Sequence, residues 1–163
     1  LVRAVSRLSE VYLTWTDRNH PSKAVSFFNP PAVVGAAPGN PPYDHQEFTM
    51  EAQVQLGSLL FPERPIKSLS EFSYYLSQCL GTYNANRSVN ITKQRYETNN
   101  FVAGISLERA PESTSSGLST RSGDLLTIRV RNMAPNLVDL RMYVHLVFES
   151  AISISEAGSQ VMD

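Results

Sequence analysis

The sequence predicts an all-β domain, an antiparallel β-sandwich with one inserted amphipathic helix, and three observations carry this prediction. Polar and apolar residues alternate with a period of two across residues 47–57, which is typical of a half-buried strand. Two long runs rich in β-branched and aromatic residues occupy positions 123–132 and 142–155. Apolar residues recur at helical spacing from about Leu69 to Leu80, which predicts the inserted helix.

The length and charge of the chain limit its class. Its 163 residues fit one domain large enough to bury a core. The net charge is −1 and no apolar run approaches the roughly 20 residues that span a bilayer. We therefore expect neither sequence-specific nucleic-acid binding nor membrane insertion. Because the pattern begins abruptly and without an initiator methionine, we expect residues 1–163 to be a single domain cut from a longer chain.

The first strand is predicted over residues 11–16, where Val11, Leu13 and Trp15 share one face. Trp15 is therefore expected in the core and not on a surface platform that stacks against sugars. Just upstream, Val2, Val5 and Leu8 fit either a helix or a bulged strand, and the β-branched and aromatic residues nearby favour the strand.

A long irregular loop is predicted at residues 29–46, which contain five prolines and two glycines. Val33, Val34 and Tyr43 are apolar residues of this loop without a periodic place in the core. We expect them to form a subunit interface anchored by Tyr43, because aromatic residues concentrate in interface cores. The alternative is that the loop folds back over its own sandwich.

The second predicted strand has a clear inner face. The apolar residues expected to point into the core are Phe48, Met50, Ala52, Val54 and Leu56. The Pro-Glu-Arg-Pro segment at 62–65 predicts a turn after this region.

The predicted helix has start and stop signals. Ser68 and Glu71 form a capping-box pattern, and Gly81 ends the helical run. Cys79 and Leu80 fall on the apolar stripe, so Cys79 is expected to be an inert buried thiol. As the single cysteine, it also excludes an internal disulfide and a cysteine-based zinc site.

The last third of the chain predicts strands at 101–108, 123–132 and 142–155, with a Ser/Thr/Gly-rich loop at 109–122. We expect this loop to be mobile or surface-displayed, because Leu118 is its one large apolar residue. The run at 142–155 is expected to form two strands or one bent strand with one fully buried face, to pair antiparallel with 123–132, and to lead into a short tail. The side chains expected to point inward are Leu126, Ile128, Val130, Met142, Val144, Leu146 and Phe148.

The long loops and the single helix favour a jelly roll over an immunoglobulin-like sandwich, whose strands are shorter and more evenly spaced. Four segments carry a resemblance to a known family: Phe-Val-Ala-Gly-Ile-Ser-Leu-Glu at 101–108, Gly-Leu-Ser-Thr-Arg-Ser-Gly-Asp-Leu-Leu-Thr-Ile at 117–128, Met-Tyr-Val-His-Leu-Val-Phe at 142–148 and Ser-Ile-Ser-Glu-Ala-Gly at 153–158. In order and pattern they resemble the C-terminal part of jelly-roll viral major capsid proteins. The likeness is to the hexon-like double jelly-roll proteins of Polinton-like and related eukaryotic DNA viruses.

This resemblance implies a structural capsid subunit that self-assembles into a viral shell. It implies no catalytic residues, no enzymatic activity and no cofactor. The implied partners are copies of the same chain in a homo-oligomeric or icosahedral shell, together with minor capsid proteins. The implied location is the virion, after assembly inside the host cell.

Other functions are weighed on individual side chains. A carbohydrate-binding, lectin-like sandwich is the alternative to a capsid subunit, and Trp15 with the tyrosines would supply its stacking surface. A cupin-like metal site needs two histidines and a carboxylate converging from strands, whereas His145 is the one histidine predicted on a strand, so no metal site is expected. Arg129 and Arg131, with Arg141 expected nearby, fit either a phosphate contact or a solvated or subunit-facing edge, and the second is favoured.

Overall fold

The structure is a computed structural model, and it describes residues 7–17, 50–81, 91–92, 95–96, 100–108, 117–120, 125–133, 140–149, 151–155 and 158–162. Within these ranges the strands are β1 (Leu8–Asp17), β2 (Glu51–Leu56), β3 (Leu59–Ile66), β4 (Ala103–Ser106), β5 (Leu126–Arg131), β6 (Leu140–Phe148), β7 (Ala151–Ser155) and β8 (Gly158–Met162). The helix α1 (Leu69–Cys79) lies between β3 and β4. The described residues are therefore mostly β, with an amphipathic helix in the predicted place.

The strands form two three-stranded antiparallel sheets and a separate hairpin. The first sheet has the order β4-β1-β6, the second sheet has the order β3-β2-β5, and β7 pairs with β8. The expected pairing of the strand at 123–132 with the strand at 142–155 is wrong, because β5 pairs with β2 and β6 pairs with β1. Each of these late strands instead pairs with an earlier strand of similar length whose apolar residues face the same side.

Strand β1 lies in the centre of the first sheet and supplies much of the core. Leu8, Val11, Leu13 and Trp15 are all buried. Leu8 and Val11 both point inward although they are three residues apart, because the pairing with β6 shifts between Leu8 and Glu10. Such a bulge inserts one residue and resets the alternation. The prediction of a bulged strand is therefore confirmed at Leu8, while Val2 and Val5 lie outside the described residues.

The second sheet is built around β2, whose Ala52, Val54 and Leu56 are buried as predicted. A tight turn at Gly57, with φ of 57°, leads into β3, and glycine accepts this positive φ without a Cβ clash. The turn expected at 62–65 is instead part of β3.

The helix begins and ends where the capping signals place it. The Ser68 hydroxyl accepts a hydrogen bond from the Glu71 backbone N–H at 3.2 Å, and the Glu71 carboxylate accepts one from the Ser68 N–H at 3.2 Å. Gly81, with φ of 60°, follows the last turn. Leu80 is exposed, contrary to its expected place on the apolar stripe, because it caps the helix outside the last buried turn.

The helix packs over β4 at Gly104. A Cβ atom on this residue would lie 3.1 Å from the Leu76 Cδ1 atom and 3.3 Å from the Cys79 sulfur. The glycine therefore permits the close approach of helix and strand. At the other end of the helix, Phe72 meets Phe101 edge-on, with the ring centroids 5.4 Å apart.

An aromatic group lies at the centre of the core. The Phe101 ring stacks on Trp15 with a centroid distance of 5.8 Å and lies 5.4 Å from the Tyr96 ring. The Tyr96 hydroxyl donates to the Val102 carbonyl at 2.9 Å, so its polar end is satisfied. Buried residues of both sheets and of the helix belong to this same core, as in a β-sandwich.

The end of the chain differs from the expectation of a fully buried face. The run at 142–155 is divided into β6 and β7, and the expected tail forms β8, which pairs with β7. On the inner face of β6, Val144, Leu146 and Phe148 are only half-buried, and Met142 is 40% exposed. Within the described residues β6 is the outer strand of its sheet, which explains its incomplete cover.

Candidate functional surfaces

The expected interface residues of the proline-rich loop, Val33, Val34 and Tyr43, lie outside the described residues. The subunit-interface hypothesis for this loop therefore stays a prediction.

One end of the loop at 109–122 is fixed to the sandwich. Leu8 and Leu118 exchange two backbone hydrogen bonds of 2.8 and 2.9 Å. A Cβ atom on Gly117 would collide with the backbone of Arg7, so the two backbones are in close contact. Leu118 packs against the core, so residues 117–120 are attached to the sandwich. The rest of the loop lies outside the described residues, and its expected mobility or surface display stays a prediction.

The outer face of the first sheet carries a row of polar side chains. The Tyr12 hydroxyl donates to the Glu10 carboxylate at 2.8 Å, and the Thr14 hydroxyl lies 3.2 Å from Nε2 of His145. Burial raises the pKa of Glu10; the hydrogen bond from Tyr12 opposes this shift and the charge of Glu108 adds to it. Burial and the neighbouring Glu10 also raise the pKa of Tyr12. The side chains of this row contact one another, and His145 is an exposed partner of Thr14.

The single thiol, Cys79, lies on the face of α1 that packs against β4. Cys79 is buried, and burial followed by the charge of Glu10 raises its pKa to about 12. A thiol in this environment stays protonated at neutral pH and is a poor nucleophile. Among the described residues no group of three metal-ligating side chains comes together.

Large apolar side chains are exposed at the margins of both sheets. Leu59 and Leu60 begin β3, and Leu125, which is 56% exposed, immediately precedes β5. Because Leu125 accepts a backbone hydrogen bond from Gly57 in the β2–β3 turn, these three leucines lie at one end of the second sheet, and we call them the hairpin-tip patch. A second exposed group lies on β6 and comprises Met142, Tyr143 and Val147.

The outer face of the second sheet holds a shallow depression of about 70 Å³. Its lining residues are Glu51, Ala52, Gln53, Pro65, Arg129 and Arg131. Arg129 and Arg131 are exposed and project from this face as predicted. Arg141 lies on β6 in the first sheet, so the expected group of three arginines is divided between two sheets.

Gln53 is the feature of this depression that the sequence pattern misses. Strict alternation places it on the polar face of β2, yet it is 7% exposed. The pairing of β2 and β3 shifts between Ala52 and Val54, so that residues 62–65 bulge over Gln53. Its amide nitrogen donates to the carbonyls of Pro62 and Glu63, at 2.9 and 3.2 Å. The two prolines of that segment were the available signal, because proline in a strand marks an edge or a bulge.

Comparison of the chain with protein-family models, with curated proteins and with solved structures finds no match in any of the three. Within the described part of the chain, no helix has both the length and the apolar character needed to cross a membrane.

Proposed function

We propose that this chain is a structural capsid subunit, built on a jelly roll, which self-assembles into a viral shell and has no catalytic role. Its partners are then copies of itself, with minor capsid proteins, in the virion. The proposal is supported by the resemblance of the segments after residue 100 to jelly-roll capsid proteins. It is also supported by two antiparallel sheets that share one core.

The observation that carries the proposal is the position of the exposed apolar side chains. A sandwich that satisfies its own core must make subunit contacts through its edges, ends and loops. The hairpin-tip patch and the exposed group on β6 are both at such margins. Edge strands are natural places for association between chains, and apolar residues at a margin provide the buried area that association needs.

A lectin-like module is the alternative, and the environment of Trp15 weakens it. Trp15 is 2% exposed and stacks on Phe101 inside the core. Its indole ring is therefore closed to a sugar in this fold. Among the described residues the exposed tyrosines are Tyr74 and Tyr143, and they lie in different elements, the helix and β6.

The test compares assembly with folding. We expect the purified chain to form large symmetric particles that are visible by negative-stain electron microscopy. A variant with Leu59→Ser, Leu60→Ser and Leu125→Ser should remain small in light scattering while keeping its cooperative thermal unfolding. The control variant carries Tyr74→Ser on α1 and Leu80→Ser at its C-terminal cap. Both residues are similarly exposed but do not lie at a sheet margin, so this variant should assemble normally.

Two outcomes contradict the proposal. A chain that stays monomeric at all concentrations, and whose melting temperature rises with a sugar, is a lectin-like module. Equal loss of assembly in the hairpin-tip variant and in the helix control would show that the margins have no special role.

A parallel variant with Val33→Ser, Val34→Ser and Tyr43→Ser tests the expected interface of the loop at 29–46. A lower melting temperature with assembly intact means that the loop stabilises its own domain and is not a subunit interface.

A further inference from the structure

The depression on the outer face of the second sheet is too small for a whole organic ligand. Its volume is about 70 Å³, whereas pockets that enclose a drug-sized molecule measure roughly 300–1,000 Å³. It therefore fits a compact group, either free or at the surface of a larger molecule.

Two arginines form one wall of the depression. Arg129 and Arg131 are alternate residues of β5 and share a face of the sheet, with their Cα atoms roughly 7 Å apart. Both side chains are exposed, and neither makes an ion pair with another residue in the described ranges. Guanidinium groups present planar forks of N–H donors that match the oxygens of phosphate and carboxylate groups.

The floor of the depression is held in place from within. Gln53 lies directly across from Arg129 in the β2–β5 register. Its amide is fixed by two hydrogen bonds to carbonyls of the β3 bulge, and Pro65 of the same bulge forms the opposite wall. The shape of the depression is thus set by the fold and does not require a ligand to form it.

The local charge is positive although the whole chain carries −1. Glu51, across from Arg131, is the one carboxylate among the described residues that line the depression. The Lys67 ammonium lies 3.3 Å from this carboxylate and offsets its charge. Glu63 and Arg64 of the β3 bulge are exposed and opposite in sign. Two guanidinium charges therefore remain without a local counter-charge among the described residues.

We propose that the Arg129–Arg131 depression is a binding site for a phosphate-type oxyanion. It binds the anion through the two guanidinium groups against the rigid floor at Gln53. The site recognises charge and shape, so it reads no base sequence, and it does not depend on capsid assembly. The phosphate is either free or part of a polyanionic chain, and these two sources differ in how the affinity depends on salt.

The experiment measures binding of inorganic phosphate by calorimetry and of a short fluorescent single-stranded oligonucleotide by anisotropy. With two phosphates contacted, the logarithm of the oligonucleotide affinity should fall with the logarithm of salt concentration with a slope of about −1.4. The double variant Arg129→Gln, Arg131→Gln should lose about tenfold or more in affinity for either probe. Glu51→Gln should gain about threefold, because a like charge near the anion is removed.

The control is Arg141→Gln, which removes one arginine charge from an exposed strand of the first sheet. It should bind both probes as the unchanged protein does. Phosphate binding without tighter oligonucleotide binding assigns the site to a free anion, and tighter oligonucleotide binding with the stated slope assigns it to a polyanion. Failure of both probes to bind the unchanged protein overturns the proposal. Equal losses in the Arg141 control and in the double variant also overturn it, as does unaltered binding by the double variant. Circular dichroism melting of each variant separates these results from unfolding.

Discussion

Strands β1 and β6 are neighbours that pair along almost their whole length, yet they differ sharply in burial. Both alternate apolar and polar residues, and both are rich in β-branched and aromatic side chains. On the inner face of β1 every described apolar residue is buried, whereas on β6 none is. The difference follows from position: β1 lies between β4 and β6, and β6 lies at the margin of the sheet as described. Alternation therefore predicts a strand and its inner face, but it does not predict how completely that face is covered.

The largest expected effect comes from deleting matched leucines on these two strands. Leu13→Ala in β1 should lower the free energy of unfolding by about 3–5 kcal/mol, because the residue is fully buried and leaves a cavity. Leu146→Ala in β6 should cost about 1 kcal/mol, since a half-exposed side chain loses less transfer free energy. Chemical denaturation followed by tryptophan fluorescence measures both. Equal losses of unfolding free energy in the two variants would mean that the inner face of β6 is as buried in solution as that of β1.

The same distinction explains how far the sequence could predict this fold. The inward faces of β1 and β2 and both caps of α1 were predictable, because they depend on residues close together in the chain. The pairing partners of β5 and β6 were not, since they depend on which distant strand offers a matching face. Strand β8 was missed because Gly158 to Met162 is short and has little alternation. The burial of Gln53 differs from the alternation because a β-bulge covers it. Leu80 is exposed although the helical spacing predicts it buried, because the helix ends before it.

A second contrast lies on the outer face of the first sheet. Gly104 of β4 is covered by α1, while His145 of β6 is exposed on the same face. Gly104→Val should lower the free energy of unfolding by about 1–3 kcal/mol, because the added methyl groups force Leu76 and Cys79 away from the strand. His145→Val, with a β-branched side chain on the exposed strand, should change it by about 0.5 kcal/mol or less. Thermal unfolding of both variants checks this prediction. An unchanged stability of the Gly104→Val variant would show that the helix packs only loosely on β4.

The smallest effect concerns the polar row between these two strands and is visible mainly through pH. Burial raises the pKa of Glu10 in the folded chain above its ordinary value of 4.5. A raised folded pKa means that the protonated form is favoured by folding. The stability linked to Glu10 is therefore fully present below pH 4.5 and is lost as the pH rises through the folded pKa.

Glu10→Gln should accordingly raise the melting temperature slightly at pH 7, because glutamine stays neutral and its carbonyl can still accept the Tyr12 hydroxyl. Below pH 4.5 the variant and the unchanged chain should melt together, since Glu10 is then protonated in both folded and unfolded states. Glu149→Gln is the matched control at the exposed end of β6, where the 3.5 Å contact with Arg7 is open to solvent. Its effect at pH 7 should be about 0.5 kcal/mol or less. A Glu10 variant that is less stable at pH 7 would mean that the hydrogen bond from Tyr12 outweighs burial. In that case Glu10 would stabilise the folded chain as a carboxylate that accepts a hydrogen bond from the neutral Tyr12 hydroxyl.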